Sequence, residues 1–178
     1  MNFDWTILQW IQENLRCAAL DFLMPKITML GNSGMIWIAI ALVMLCTKKY
    51  RKHGIILLVG LLVGLLVGNI CLKNLVARAR PCWIDPAVPL LIGNPTDYSF
   101  PSGHTLSSVI AATILYDTDK RFGIPAIILA VLIAFSRLYL YVHFPTDVLA
   151  AALLGVLIGK LLHRWHDERG AGPRIKTN

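Results

Sequence analysis

Apolar and polar positions along this chain fall into long blocks rather than a short alternation. Nearly unbroken aliphatic runs occupy about 35–46, 54–72, 106–115, 123–135 and 148–162, with short polar connectors between them. The run 54–72 is the clearest: at ~1.5 Å per residue it reaches about 28 Å, close to the ~30 Å hydrocarbon thickness of a bilayer. The shorter runs must borrow length from their flanks. Ahead of them Phe3, Ile7, Ile11 and Leu15 recur at helical spacing opposite Asp4, Gln12, Glu13 and Arg16. That stripe predicts an amphipathic helix lying on the membrane interface, with Trp5 and Trp10 as anchors. Residues 18–30 are apolar but short and carry Asp21, Pro25 and Lys26. They form either a half-buried helix or part of a tilted first span, and the turn at Gly31 to Gly34 closes them either way.

The expected architecture is therefore all-α: one polytopic transmembrane bundle over 1–178, with five to six membrane helices and the N-terminal interfacial helix. The polar tail from about 164, starting beyond His163 and containing Gly170 and Pro173, is expected to be disordered. No cleavable leader is expected, because Met1 to Trp5 carries no basic region.

Composition removes the soluble classes. A hydrophobic content of 56% and a mean hydropathy of +0.62 lie far above the soluble range. The formal charge of +7 would suit a nucleic-acid partner, but its placement argues for topology instead. Lys48, Lys49, Arg51 and Lys52 follow the first run, Lys120 and Arg121 the third, and Arg164, Arg169, Arg174 and Lys176 the last. Alternating crossings put these groups on one face, which the positive-inside rule makes cytoplasmic. Cys46 and Cys71 read as small hydrophobes, and no Cys/His spacing suggests a metal. Cys17 and Cys82 fall on the opposite face, which does not by itself make a bridge.

Three polar clusters interrupt the apolar runs, and the same alternation carries all three to that opposite, outer face. They are Lys73 with Arg80 and Pro81, Pro101 to His104, and Ser136 and Arg137 followed by His143, Pro145 and Asp147. Charges at a bilayer centre cost roughly 2.5–3.5 kcal/mol each, so their concentration implies a use. If the helix from 54 continues past Leu72, Lys73 and Arg80 project from one face, Arg78 points elsewhere, and Pro81 ends it. Arg78 then reads as a lipid-headgroup or loop contact, with a substrate's second phosphate as the alternative. Gly60, Gly64 and Gly68 form a flat stripe for close packing within the molecule. Residues 81–100 form a long loop of the kind that covers sites. Ser102 suits a helix N-cap, whose free N–H groups and dipole seat an anion. Pro145 suits the first turn of the last helix, and Asp147, four residues after His143, can hold one imidazole nitrogen and leave the other free to react. His53, His163 and His166 read as ordinary polar residues.

Lys73-x6-Arg80-Pro81, Pro101-Ser102-Gly103-His104 and Ser136-Arg137-x5-His143-x3-Asp147 resemble the three-part signature of the type 2 phosphatidic acid phosphatase superfamily, without departure in the motifs. The resemblance implies that His143 is the nucleophile, forming a phosphohistidine, and that Asp147 orients it. His104 would protonate the leaving oxygen. Lys73, Arg80, Arg137, Ser102 and the Gly103 N–H would hold the phosphoryl oxygens. Three cations replace the metal of many phosphoryl-transfer sites, so no metal and no cofactor are expected.

The implied partners are a lipid phosphate substrate and membrane lipids, with no nucleic acid. Location would be a bacterial plasma (inner) membrane, with the site facing the periplasm or exterior. Compactness and that orientation are similar to members acting on undecaprenyl diphosphate. Phosphatidylglycerophosphate or phosphatidic acid phosphatase, lipid phosphotransferase, and a non-enzymatic lipid-phosphate binder or transporter are the alternatives. A binder needs the cations but not the histidine pair.

Overall fold

The structure is a computed structural model and describes residues 3–170, with side chains described through 165. All regular structure among the described residues is helical. Helix α1 (Phe3–Asn14) is followed by α2 (Ala18–Leu30) and α3 (Met35–Leu45), which are joined through a 3-10 turn. Helix α4 (Arg51–Gly64) runs on as a π-helical stretch, Leu65–Leu72, into the single turn α5 (Lys73–Val76). A second single turn, α6 (Pro81–Ile84), precedes a loop, and then come α7 (Gly103–Thr118), α8 (Lys120–Tyr139) and α9 (Pro145–Gly170).

Helix α7 is the axis of the bundle and packs against α8, α9 and α4. Leu106, Ile110, Ala111, Ile114 and Leu115 are all buried, the mark of a helix surrounded by others. The glycine stripe of α4 meets it directly. A Cβ at Gly60 or Gly64 would lie 2.9 Å or 2.6 Å from Ile110 side-chain carbons, and one at Gly68 only 2.3 Å from Leu106 Cδ2. Helix α3 is tied to the same axis by a buried hydrogen bond from Trp37 Nε1 to Ser108 Oγ (3.0 Å).

By length and composition three helical runs can cross a membrane: Arg51–Ile84, Lys120–Tyr139 and Pro145–Trp165. The pair Ala18–Leu30 and Asn32–Leu45, bent by 44°, makes a fourth if counted as one span. This is a multi-pass membrane protein. Helix α7, at 16 residues, is shorter than those spans. The basic connectors gather at one end. There Tyr50 donates to Asp119 (3.2 Å) and packs edge-on against Phe122, Lys160 pairs with Asp117 (2.6 Å), and His53 stacks on His163.

Four expectations change. Helix α1 buries Asp4, Leu8 and Ile11 against the protein and leaves Phe3 exposed, because Asp4 finds hydrogen-bond donors beneath it. Trp5 packs on Phe144 and Tyr141 instead of anchoring the helix, while Trp10 stays exposed. The helix from 54 does not continue to Arg80. Ala77 takes a left-handed conformation (φ 46°), and Pro81 begins a helical turn, where its missing N–H is harmless. The tail expected to lose structure from His163 continues α9 to Gly170, and the rest of it lies outside the described residues.

The turn into α8 brings Gly123 against the backbone of Tyr116, where a Cβ would lie 2.2 Å from Tyr116 Cα. Backbone cannot step aside as a side-chain tip can. Gly123→Ala should therefore lower stability by about 2 kcal/mol in detergent thermal unfolding. Gly93→Ala, with nothing within 4 Å of the new methyl, should leave the midpoint unchanged.

Candidate active site

The left-handed turn at Ala77 and the extended Arg80 backbone (φ −79°, ψ 153°) fold Arg80 back beside Lys73. Both side chains are almost wholly buried. Arg80 is held on every side: Nε donates to Asp97 O (2.6 Å), Nη1 to Val142 O (2.7 Å), and Nη2 to Asp97 Oδ1 (2.6 Å). Lys73 Nζ pairs with the other carboxylate oxygen of Asp97. Burial alone would raise the Asp97 carboxyl, but the Lys73 ammonium and Arg80 guanidinium hold it down to about 2.

Ser102 caps α7: its hydroxyl accepts from Thr105 Oγ1 (3.0 Å) and, more weakly, from Thr105 N (3.5 Å). Fully buried, Ser102 is absent from the cavity wall, which Gly103 and His104 do line. His104 Nε2 lies 2.9 Å from Asn32 Oδ1, an acceptor, so the ring proton sits on Nε2. The bend between α2 and α3 makes room for this ring, since a Cβ at Gly31 would come within 2.8 Å of His104 Cδ2. The bend itself needs left-handed backbone at Ser33 and Gly34.

His143 sits in the turn between α8 and α9, and Pro145 opens α9 as expected. Its Nδ1 is 3.7 Å from Asp147 Oδ2 and 3.4 Å from Ser99 Oγ, while Nε2 faces Arg80 Nη1 at 3.1 Å. A guanidinium can only donate, so Nε2 is the unprotonated nitrogen. Burial pushes the imidazole down to about 3, against the opposing pull of Asp147 and with Arg80 adding to it. The ring is therefore neutral at physiological pH, with its lone pair toward the cations.

Asp147 is completely buried and fully subscribed. Oδ2 accepts from Ser99 Oγ (2.5 Å) and from the N–H of Phe144 (2.8 Å), and Oδ1 accepts from Arg78 Nη1 (2.6 Å). Arg78 also donates to Thr146 Oγ1 (2.7 Å) and Asp4 Oδ2 (2.6 Å), with its guanidinium 4.0 Å over the Phe144 ring.

A single cavity of about 1050 Å³ joins these parts, lined by Lys73, Arg80, His104, Arg137 and His143 among others. Arg137 is 4% exposed; its Nη1 donates to Thr28 Oγ1 (2.6 Å), and its Nε has no hydrogen-bond partner. No carboxylate pairs with it among the described residues. A buried cation with an idle donor is costly unless an anion arrives. The arrangement can seat an oxyanion, present a neutral imidazole lone pair to it, and offer a proton from a second imidazole.

Sequence reasoning missed Asp97, Ser99 and Asn32, and took Arg78 for a peripheral contact. Ser99 and Asp97 border the Pro101 cluster and are polar residues in a loop expected to cover the site, which was the available signal. Arg78 and Asp4 carried none, because their pairing spans 74 positions.

A family model described as the PAP2 superfamily matches residues 53–171. The chain is 37% identical over 163 residues to an undecaprenyl-diphosphatase of Sulfolobus acidocaldarius, covering 90% of this chain and 77% of that protein. Among solved structures it is similar to LpxE of Aquifex aeolicus (TM-score 0.81, 26% identity, 92% of this chain and 96% of that one). A transmembrane PAP2 type phosphatidylglycerolphosphate phosphatase from Bacillus subtilis is also similar (TM-score 0.75, 28% identity, 99% and 90%).

Arg78→Met would leave the buried Asp147 and Asp4 carboxylates without their shared cation. A stability loss of roughly 3 kcal/mol is expected, read from thermal unfolding in detergent, with partial recovery in Arg78→Lys.

Proposed function

This chain belongs to the PAP2 superfamily and is a phosphatase, and from that premise we propose that it hydrolyses a membrane lipid diphosphate, undecaprenyl diphosphate first. The observation that carries the reading is the meeting of both imidazoles with Lys73, Arg80 and the incompletely partnered Arg137 around one cavity. The relative at 37% identity, an undecaprenyl-diphosphatase, supports the choice of substrate. So does the cavity's lining, which besides the polar groups includes Met29, Ile38, Leu58, Leu61 and Leu65, apolar side chains suited to an aliphatic tail.

In the proposed reaction Nε2 of His143 attacks the terminal phosphorus, and a P–N bond forms as the P–O bond to the lipid phosphate breaks. His104, which takes up a second ring proton as the substrate anion enters, gives its Nε2 proton as an imidazolium to the departing oxygen and is left neutral. Asp147, aided by Ser99, stabilises the positive charge that the phosphorylated ring acquires while its Nδ1 proton stays in place. Water then attacks the same phosphorus and gives its proton to His104, releasing inorganic phosphate and the neutral His143. Lys73, Arg80, Arg137 and the Gly103 N–H stabilise the equatorial oxygens, and Ser102 contributes by holding the start of α7. That cation set does the neutralising that a metal does elsewhere, and no three His, Cys, Asp or Glu side chains converge as a metal site among the described residues. With the basic connectors on the cytoplasmic side, α7 counted as a fifth crossing, and α1 on the outer surface, the site opens outward.

A second reading is phosphatidylglycerophosphate hydrolysis, favoured by the Bacillus subtilis structure. A phosphate-release assay in detergent across lipid phosphates and diphosphates separates the two. Undecaprenyl diphosphate is expected to be the preferred substrate, with activity retained in excess EDTA. His143→Ala should lower turnover at least about 10³-fold, and unchanged phosphate release by that variant would reject the assigned nucleophile.

A further inference from the structure

Asp97 belongs to none of the three motifs, yet it occupies the place the cations keep for a phosphoryl group. Its two carboxylate oxygens divide between Lys73 Nζ and Arg80 Nη2, and its backbone carbonyl takes the Arg80 Nε donor. The two cations are nearly inaccessible, with side chains 7% and 2% exposed, whereas the Asp97 side chain is 55% exposed. The carboxylate thus reaches in from the solvent side to cover cations buried beneath it. Its two oxygens stand in for two phosphoryl oxygens, and Asp97 lines the same cavity as His104 and His143.

A phosphoryl dianion entering that cavity meets a like charge already bonded to two of its three cations. At contact distance such repulsion is large in a partly desolvated site. We propose that Asp97 is a displaceable carboxylate that holds the phosphoryl seat in the free enzyme, leaves Lys73 and Arg80 when substrate binds, and returns to expel inorganic phosphate. This rests on the phosphatase reading above and adds a basis for specificity. A lipid phosphate brings the binding energy of its tail to offset the displacement. Free phosphate has no tail and is rejected. The same competition speeds release of the product after the phosphohistidine is hydrolysed. The exposed position of Asp97 in a loop, between Gly93 and Ser99, gives the carboxylate somewhere to go.

Two measurements on the full-length protein in detergent test the proposal. Asp97→Asn removes the charge and keeps the shape. The variant should bind inorganic phosphate and vanadate on the order of tenfold more tightly by calorimetry, and phosphate should become a correspondingly stronger inhibitor of turnover. In the wild-type protein, vanadate should increase amide hydrogen exchange in the segment around 94–99 as its contacts to Lys73 and Arg80 are lost. Phosphate affinity that is unchanged or weakened in Asp97→Asn would overturn the proposal, since it would mean that the carboxylate only holds the cations in place. Exchange that stays constant or falls on vanadate binding would do so as well, and that readout needs no variant. Failure of the lipid assay with tighter phosphate binding in Asp97→Asn would sink the substrate reading and leave the competition intact.

Discussion

The whole site hangs on the buried carboxylate of Asp147. Its two oxygens take three hydrogen bonds at 2.5–2.8 Å, from Ser99, Phe144 and Arg78, and touch the imidazole of His143 besides. Those partners come from three parts of the chain, the turn after α5, the loop before α7 and the α8–α9 turn, while Asp147 itself stands in the first turn of α9. Arg78 extends the network to Asp4 of α1, so a helix expected to lie on the membrane interface becomes part of the support beneath His143. A buried carboxylate so fully paired stays charged and fixed, and a fixed charge is what can hold one tautomer of a neutral ring.

Around this anchor the protein carries an imbalance of the opposite sign. Lys73, Arg80 and Arg137 are buried with one accessible carboxylate among them, and Arg137 retains an idle donor. Such an arrangement destabilises the empty fold and becomes favourable when an oxyanion completes it, which is how a binding site differs from a structural ion-pair network. The bundle can bear that cost because its axis is so closely packed. Gly60, Gly64 and Gly68 let the Ile110 and Leu106 side chains of α7 seat directly against them, and α7 delivers His104 and Gly103 to the cavity from its first turn. The π-helical stretch Leu65–Leu72 and the left-handed Ala77 then turn the chain so that both basic residues of the first motif point the same way.

Much of this was legible in the residues alone. The apolar runs, the basic connectors, the N-cap at Ser102 and the first-turn Pro145 and Asp147 each depend on neighbours a few positions away, and local physics governs them. The glycine spacing likewise announced close helix packing, and the structure supplies the partner, α7. Of the eight residues nominated for the site, six line one cavity, and Ser102 and Asp147 are fully buried outside its lining.

What the sequence by itself determined is therefore the class of the molecule and the chemical groups at its disposal: a helical membrane protein with two histidines, three cations and an acid in three clusters. Only the tertiary structure decided how those groups are satisfied. Lys73 and Arg80 meet through a break in the helix, Asp4 turns inward to Arg78, Ser99 intervenes beside His143, and Asp97 covers the cations. Each of these is a pairing between segments distant along the chain. The cost of leaving a buried charge or donor unpaired drives them, and which partner relieves it depends on the folded arrangement rather than on any local pattern.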